Sequence, residues 1–318
     1  MTTKRAPFLH TGATSFGIMR DVLIALVPVS GMAVVQFGWR AILFIVSGIG
    51  SAVLFEYLFQ RFTHRDSTIH DGSAAVTGLL LALSYSVTTP LWILVFSTFV
   101  AIVPVKQMAG GIGRNHVNPA VFARVLSKIL FTPWITGWVM PGPDAVSTAT
   151  PLEFIGNGQK TVAAGAPDIE ALFFGQIGGN MGEVVKWAIL LGMLYLVFRR
   201  VIRIEIPLAA ITGLFLISML FGESDPYFAL YHILSGTALF ASVFMVTDYS
   251  TSPLNREAKV YFALGVGLLT GIIRHGFALP GGIGIAILAM NLLTPALEQW
   301  IVPRVFGHKD ETAVTETR

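Results

Sequence analysis

Residues 21–38 read DVLIALVPVSGMAVVQFG and, after a two-residue break, residues 41–60 read AILFIVSGIGSAVLFEYLFQ. Each run is close to the roughly 20 apolar residues that an α-helix needs to cross about 30 Å of hydrocarbon. The pair holds only two charged side chains, Asp21 and Glu56. Working outward, similar runs recur near 73–89, 91–109, 118–139, 183–199, 206–222, 231–248, 259–275 and 282–302. Of the 318 residues 54% are hydrophobic and 12% charged, with mean hydropathy +0.71. Soluble domains carry about 25% charge, so a soluble fold could not hide this much apolar surface. The reading is an all-α integral membrane protein of about ten transmembrane helices. Its 32 Gly and 16 Pro leave room for broken helices, tolerated in lipid only where protein or a cavity covers the freed backbone. The third run is the candidate half-helix, because it ends on Ser84-Tyr85-Ser86.

The absence of cysteine excludes cysteine-ligated iron–sulfur clusters and disulfides within the chain. The net charge of +3 is explained by topology and calls for no nucleic acid. The polar segment before Arg20 lacks a signal-peptide core, so the first run is expected to stay as a helix. Ten spans put both termini on one side. The loops on that side then hold Lys4, Arg5, Arg20, Arg61, Arg65, Lys106, Arg114, Arg199, Arg200, Arg203, Arg256, Lys259, Arg304, Lys309 and Arg318, fifteen of 21 Lys and Arg residues. The other side holds Arg40, Lys160, Lys186 and Arg274, while Arg124 and Lys128 fall within the fifth run. By the positive-inside bias the termini are cytoplasmic. The chain then divides into an N-terminus (1–20), a first five-span repeat (21–139), an extracytoplasmic segment (140–182), a second five-span repeat (183–302) and a cytoplasmic tail (303–318).

A weak internal echo supports the two repeats. Val76-Thr77-Gly78-Leu79 in the third run resembles Leu234-Ser235-Gly236-Thr237 in the eighth, and Gly110-Gly111-Ile112-Gly113 resembles Gly281-Gly282-Ile283-Gly284. An odd number of spans per half makes the repeat inverted, an arrangement that places small-molecule sites on interrupted helices at the midplane. The plainer alternative is close packing of small residues.

Polar residues within apolar runs are costly and usually have a partner or a task. Arg114-Asn115-His116-Val117-Asn118-Pro119 joins a cation, two amides and a helix-initiating proline. Such a helix start suits an anionic or carbonyl-rich ring, or is simply a turn capped by Asn118. Asp248, at the end of the eighth run, is a candidate for binding an ion or a ligand hydroxyl, or else caps the following turn. Asn291 lies mid-span and Glu298 near the end of the last run; Glu56 and Gln60 read as solvated end-of-span residues. Asp248 and Glu298 are the candidates for ion coupling. The seven histidines are scattered, without ligand spacing, and no metal site is expected.

Between two prolines lies Asp144-Ala145-Val146-Ser147-Thr148-Ala149-Thr150. On the residues alone this is a polar loop whose last hydroxyl another protein could reach and esterify. It resembles the Asp-x-x-Ser-x-Ala-Thr acceptor pattern of flavin transferases, with Thr148 where glycine is common. Together with the stretches Gly113 to Ala120, Met245 to Pro253 and Gly276 to Asn291, it identifies the chain as similar to the NqrB/RnfD family. That family comprises the B subunit of the sodium-pumping NADH:quinone oxidoreductase and the D subunit of the Rnf complex; the length and short N-terminus resemble the second. The resemblance implies two inverted five-helix repeats similar to urea-transporter architecture, in a bacterial cytoplasmic (inner) membrane. It implies FMN esterified to Thr150, with Asp144, Ser147 and Ala149 in the recognition motif. It also implies a non-covalent riboflavin near Thr77, Arg114, Asn115, Asn118 and Asp248. The protein would relay electrons between NADH and ferredoxin or flavodoxin, coupled to Na⁺ or H⁺ movement. Implied partners are the other membrane and cytoplasmic Rnf subunits, including the flavin-bearing G subunit, a maturing flavin transferase and membrane lipid. The alternatives are the quinone-linked complex and a urea-transporter-like solute channel.

Overall fold

The computed structural model describes residues 14–142, 147–155, 159–277 and 281–302. Helix α1 (Ser15–Phe37) starts where the Thr14 hydroxyl accepts from Gly17 N–H at 3.1 Å, and it ends at Gly38, whose φ of +66° suits glycine alone. Helix α2 (Trp39–Phe62) follows at once. Asp71 then accepts from the Ser73 N–H and hydroxyl, opening α3 (Ser73–Leu83). Helix α4 (Leu91–Val100) continues as a π-helix over Ala101–Gln107. The missing N–H of Pro104 disturbs the i→i−4 ladder there. Asn118 caps α5 (Pro119–Leu130), and a single turn, α6 (Thr132–Ile135), follows.

The chain then runs on through the second half. After α7 (Ile169–Phe174) come α8 (Lys186–Phe198) and α9 (Glu205–Phe221). Helices α10 (Pro226–Leu234) and α11 (Ala238–Phe244) meet at a 62° bend. Helices α12 (Arg256–Gly276) and α13 (Ile283–Trp300) complete the body. Among the described residues there is no strand, only an isolated bridge between Val139 and Ser147.

The side-chain distribution is that of a membrane protein. Val27, Val35, Val46, Leu54, Leu220 and Leu292 point outward, while Glu56, Lys106, Lys186, Arg274 and Asn291 are buried. Among the described residues three helices, α1, α2 and α13, are long and apolar enough to cross a bilayer, and α10 with α11 makes a fourth if the bent pair is one span. Helix α12 is as long, at 21 residues, and α9 has 17, but several other expected runs are shortened. The run at 73–89 stops as a helix at Leu83, that at 118–139 breaks at Phe131, and 183–199 is helical from Lys186 to Phe198. The cause is local: Ser84, Phe131 and the Ser235-Gly236-Thr237 break each interrupt the ladder. The glycine echo does not extend to backbone shape, since Gly78 is inside α3 whereas Gly236 turns the break with φ +63°.

The segment 140–182 is not a solvent loop throughout. Residues Gly178 to Val185 are buried, and the N–H groups of Met181 and Gly182 donate to the carbonyls of Tyr85 and Leu83 at 3.0 and 2.7 Å. That segment therefore caps the short helix α3, supplying the donors that lipid cannot. The two halves are tied elsewhere by Asp21 on α1, which accepts from Tyr195 and Arg199 of α8 at 3.1 and 3.2 Å.

Helices α2 and α3 cross at glycine on both sides: a Cβ on Gly78 would lie 2.2 Å from the Gly48 carbonyl oxygen. Small residues at such crossings let backbones touch. Gly78→Ala is expected to destabilise the purified protein by about 1–3 kcal/mol through overpacking, lowering its thermal midpoint in detergent. The control Gly50→Ala meets nothing within 4 Å and is expected to be neutral or mildly stabilising; equal midpoints for the two variants would refute the close crossing.

Candidate functional site

Two cavities share the walls formed by α5 and α11. The inner cleft is lined by Thr77, Asn115, Asn118 and Asp248, with Lys106 and Tyr249. The fold thus gathers four residues that lie as far as 171 positions apart in sequence. Asn118 is its pivot. Its Oδ1 accepts from Val121 N–H at 3.1 Å, its Nδ2 donates to the Met245 carbonyl and to Asp248 Oδ2 at 3.4 and 3.2 Å, and its N–H donates to Asn291 Oδ1 at 3.0 Å. Asp248 also accepts from the Ser250 N–H and hydroxyl and from the Thr251 hydroxyl. It both lines the cleft and holds the 248–252 turn. Asn115 Oδ1 is buried without a hydrogen-bond partner among the described residues. Arg114 is exposed and outside the cleft. Glu298 is also exposed, its carboxylate accepting from Leu254 N–H at 2.8 Å, so it anchors a turn away from Asp248.

One wall of this cleft was not expected. Lys106 is 2% exposed and Glu56 0%. Their ion pair measures 2.7 Å, and Lys106 also donates to the Ser73 hydroxyl at 2.6 Å. Gln60 and Thr68 complete the hydrogen bonding of Glu56. Glu56 and Gln60 are therefore buried rather than solvated, and Lys106 belongs to the interior rather than to a loop. The π-helical segment carries Lys106 and turns its ammonium toward Glu56.

The outer cavity, about 340 Å³ in volume, is lined by Thr150, Trp138, Arg124, Lys128, Asn180 and Glu183 among others. Thr150 precedes a 3₁₀ turn (Pro151–Phe154) whose Glu153 N–H donates to the Thr150 carbonyl at 2.9 Å. It is 7% exposed, and its hydroxyl makes no hydrogen bond among the described residues. The sequence reading expected an accessible loop; instead the segment is docked, with Leu152 packed on the Gly236 break. Ser147 is exposed and Ala149 half-buried, while Asp144 lies outside the described residues. Thr148, which stands where the flavinylation pattern favours glycine, is accommodated because position 178 is glycine: a Cβ there would lie 2.3 Å from the Thr148 methyl.

The sequence pattern of the NQR2, RnfD, RnfE family matches residues 2–307. The chain belongs to this family. It is 34% identical over 310 residues to the D subunit of the Na(+)-translocating ferredoxin:NAD(+) oxidoreductase complex of Acetobacterium woodii, covering 96% of this chain and 95% of the relative. It is 32% identical to the D subunit of the proton-translocating ferredoxin:NAD(+) oxidoreductase complex of Clostridium ljungdahlii, covering 96% of each. Identity to the D subunit of the ion-translocating oxidoreductase complex of Stutzerimonas stutzeri is 33%, over 91% of each.

For this member of the NQR2, RnfD, RnfE family, the sequence reading missed Lys106, Glu56, Asn180 and Glu183 as lining or supporting residues. Arg124 and Lys128 carried a legible signal: two cations spaced i, i+4 inside an apolar run share one helix face. The buried Lys106–Glu56 pair makes a testable case. Removing one partner leaves a bare buried charge, which costs about 3–5 kcal/mol, whereas replacing both by apolar residues is far cheaper. Lys106→Met is expected to lower the thermal midpoint sharply and Lys106→Met with Glu56→Leu to recover most of it. A single variant as stable as the parent would contradict the burial.

Proposed function

We propose that the chain is the membrane subunit of an ion-translocating ferredoxin:NAD⁺ oxidoreductase complex, carrying FMN as a phosphoester on Thr150. Full-length similarity to the D subunits of such complexes supports the assembly. The observation that carries the flavin is the position of Thr150, whose residue lines a cavity of about 340 Å³ together with two cations and an indole. That volume falls at the lower end of the roughly 300–1,000 Å³ typical of ligand pockets. The polar groups also suit the ligand: Arg124 Nη1 and Asn180 Oδ1 are buried without partners among the described residues. FMN, when bound, would accept and pass on electrons, the chemistry being the cofactor's own. The chain's part is to hold the ring beside Trp138 and Ile287 and to exclude water with the docked 147–155 segment.

For a second, non-covalent flavin the proposed place is the inner cleft, which would have to widen to admit it. Its hydroxyl, amide and carboxylate groups match a flavin edge, but its volume of about 90 Å³ is well below the roughly 300 Å³ of ordinary ligand pockets. It is of a size for a few water molecules or an ion. Asp248 is the proposed coupling residue there, and the exposed Glu298 is the weaker candidate. If Asp248 takes part, Asp248→Asn uncouples ion transport from electron transfer in vesicles.

The proposed topology has ten crossings, several of them broken, with both termini cytoplasmic in a bacterial inner membrane. Lys106, Lys186 and Arg274 are buried and drop out of the loop count, and the remaining bias of basic residues keeps its sign. Two inverted halves would then meet at α5 and α13, with Thr150 on the outer side. The flavin-bearing G subunit and a flavin transferase are the proposed partners there.

The test is direct. In a host with a flavin transferase, the chain is expected to fluoresce as a flavoprotein in a denaturing gel, with a mass increment of esterified FMN on the peptide holding Thr150. Thr150→Val removes both signals while the thermal midpoint of the chain changes little. Fluorescence that survives in Thr150→Val refutes the attachment site.

A further inference from the structure

The charges around the outer cavity do not balance. Arg124 and Lys128 stand on its α5 wall. Behind it, Lys186 at the start of α8 and Arg274 on α12 are both buried. Lys128 lies within electrostatic reach of Arg124, Glu183 and Arg274, and Lys186 within reach of Glu183 and Arg274. Against these four cations two carboxylates line the cavity: Glu153, which is exposed, and Glu183, which is buried. Its two oxygens accept from the N–H and Nδ2 of Asn180 at 3.0 and 2.9 Å.

The rear cations are held chiefly by backbone, with Arg274 Nε alone of their bonding atoms left buried and without a partner among the described residues. Arg274 donates to the carbonyls of His232 and Ser235 at 2.6 and 3.2 Å, and Lys186 to the carbonyl of Glu183. The front pair is different. Arg124 Nε donates to the Ser84 carbonyl at 2.9 Å and its guanidinium lies 4.4 Å from the Tyr85 ring centroid, which aims the group into the cavity. Its Nη1 is buried and has no partner among the described residues. The Lys128 ammonium, beside Gly281, makes no hydrogen bond among them either. Both side chains are half-buried, and two cations with spare donors on one helix face of a cavity favour an anion there.

We infer that the outer cavity is an anion seat in which Arg124 and Lys128 hold the phosphate of the group that Thr150 carries. This rests on the flavin reading of Thr150 and deepens it. The guanidinium offers planar paired donors and the ammonium a point charge, complementary to phosphate oxygens. An ester to Thr150 leaves the phosphate one negative charge, so the seat serves the linked group as well as the free one. In a chain whose Thr150 is bare the same seat would hold free FMN, and would distinguish FMN from riboflavin, which lacks the phosphate.

The experiment uses the full chain purified in detergent from a host without a flavin transferase, so that Thr150 is bare. Free FMN and riboflavin are titrated separately, following quenching of flavin fluorescence. FMN is expected to bind at least about tenfold more tightly, the factor for one or more charge-assisted hydrogen bonds, and inorganic phosphate is expected to compete. Arg124→Gln with Lys128→Gln abolishes the preference while riboflavin binding stays the same; Arg124→Lys with Lys128→Arg retains part of it. Equal binding of FMN and riboflavin by the parent chain overturns the inference, as does a folded double-glutamine variant that keeps the preference. If the double-glutamine chain does not fold, the parent's FMN-to-riboflavin ratio and its response to phosphate still decide. A bare Thr150 in the native complex would defeat the flavin attachment yet leave this ratio untouched, so the two failures are separable.

Discussion

Asn118 makes the contacts on which the interior is organised. One amide caps α5, reaches the Met245 carbonyl and Asp248, and its backbone N–H meets Asn291 of α13. Residues from both halves of the chain therefore converge on a single helix start. In water such contacts would each contribute about 1 kcal/mol. Inside a lipid-facing body the alternative is an unsatisfied polar group, so the geometry of α5 is fixed against the 245–251 turn and the last helix. Both cavities inherit their shape from that joint, because α5 and the 241–248 stretch contribute walls to each.

The same constraint explains the short helices. A helix that stops inside the body exposes carbonyls that lipid cannot satisfy. At the end of α3 the 178–185 segment supplies N–H groups to Leu83 and Tyr85, and at the α10 break Arg274 donates to His232 and Ser235. Tyr85 extends the arrangement sideways, its hydroxyl 2.6 Å from that of Ser97, which in turn meets Ser127 at 2.6 Å. These fastenings leave space beside the interrupted ends, and the outer cavity occupies it. Broken helices, docked segment and cavity are one structural solution.

Much of this was legible in the sequence, for identifiable reasons. Apolar run length marked α1, α2 and α13, and Asn118-Pro119 marked the start of α5. The family resemblance grouped Thr77, Arg114, Asn115, Asn118 and Asp248, and the fold brings all but Arg114 to one cleft. What the sequence concealed was depth. Lys106 and Glu56 read as residues near loop ends because pairing between α2 and the π-helical segment depends on tertiary packing. The 147–155 segment read as an open loop because composition cannot reveal that Leu152 packs on Gly236. Helix interruption was read at Ser84 but passed over at Phe131, where the following Thr132-Pro133 carries the signal.

The central claim is that the cavity beside α5 houses a flavin joined to Thr150. Experimental density for the native complex, at a resolution that shows side chains, tests it most directly. The account predicts ring-shaped density between Trp138 and α13, continuous through a phosphate with the Thr150 oxygen and flanked by Arg124 and Lys128. A cavity filled by lipid or by side chains of a neighbouring protein, with the threonine oxygen unattached, would contradict it.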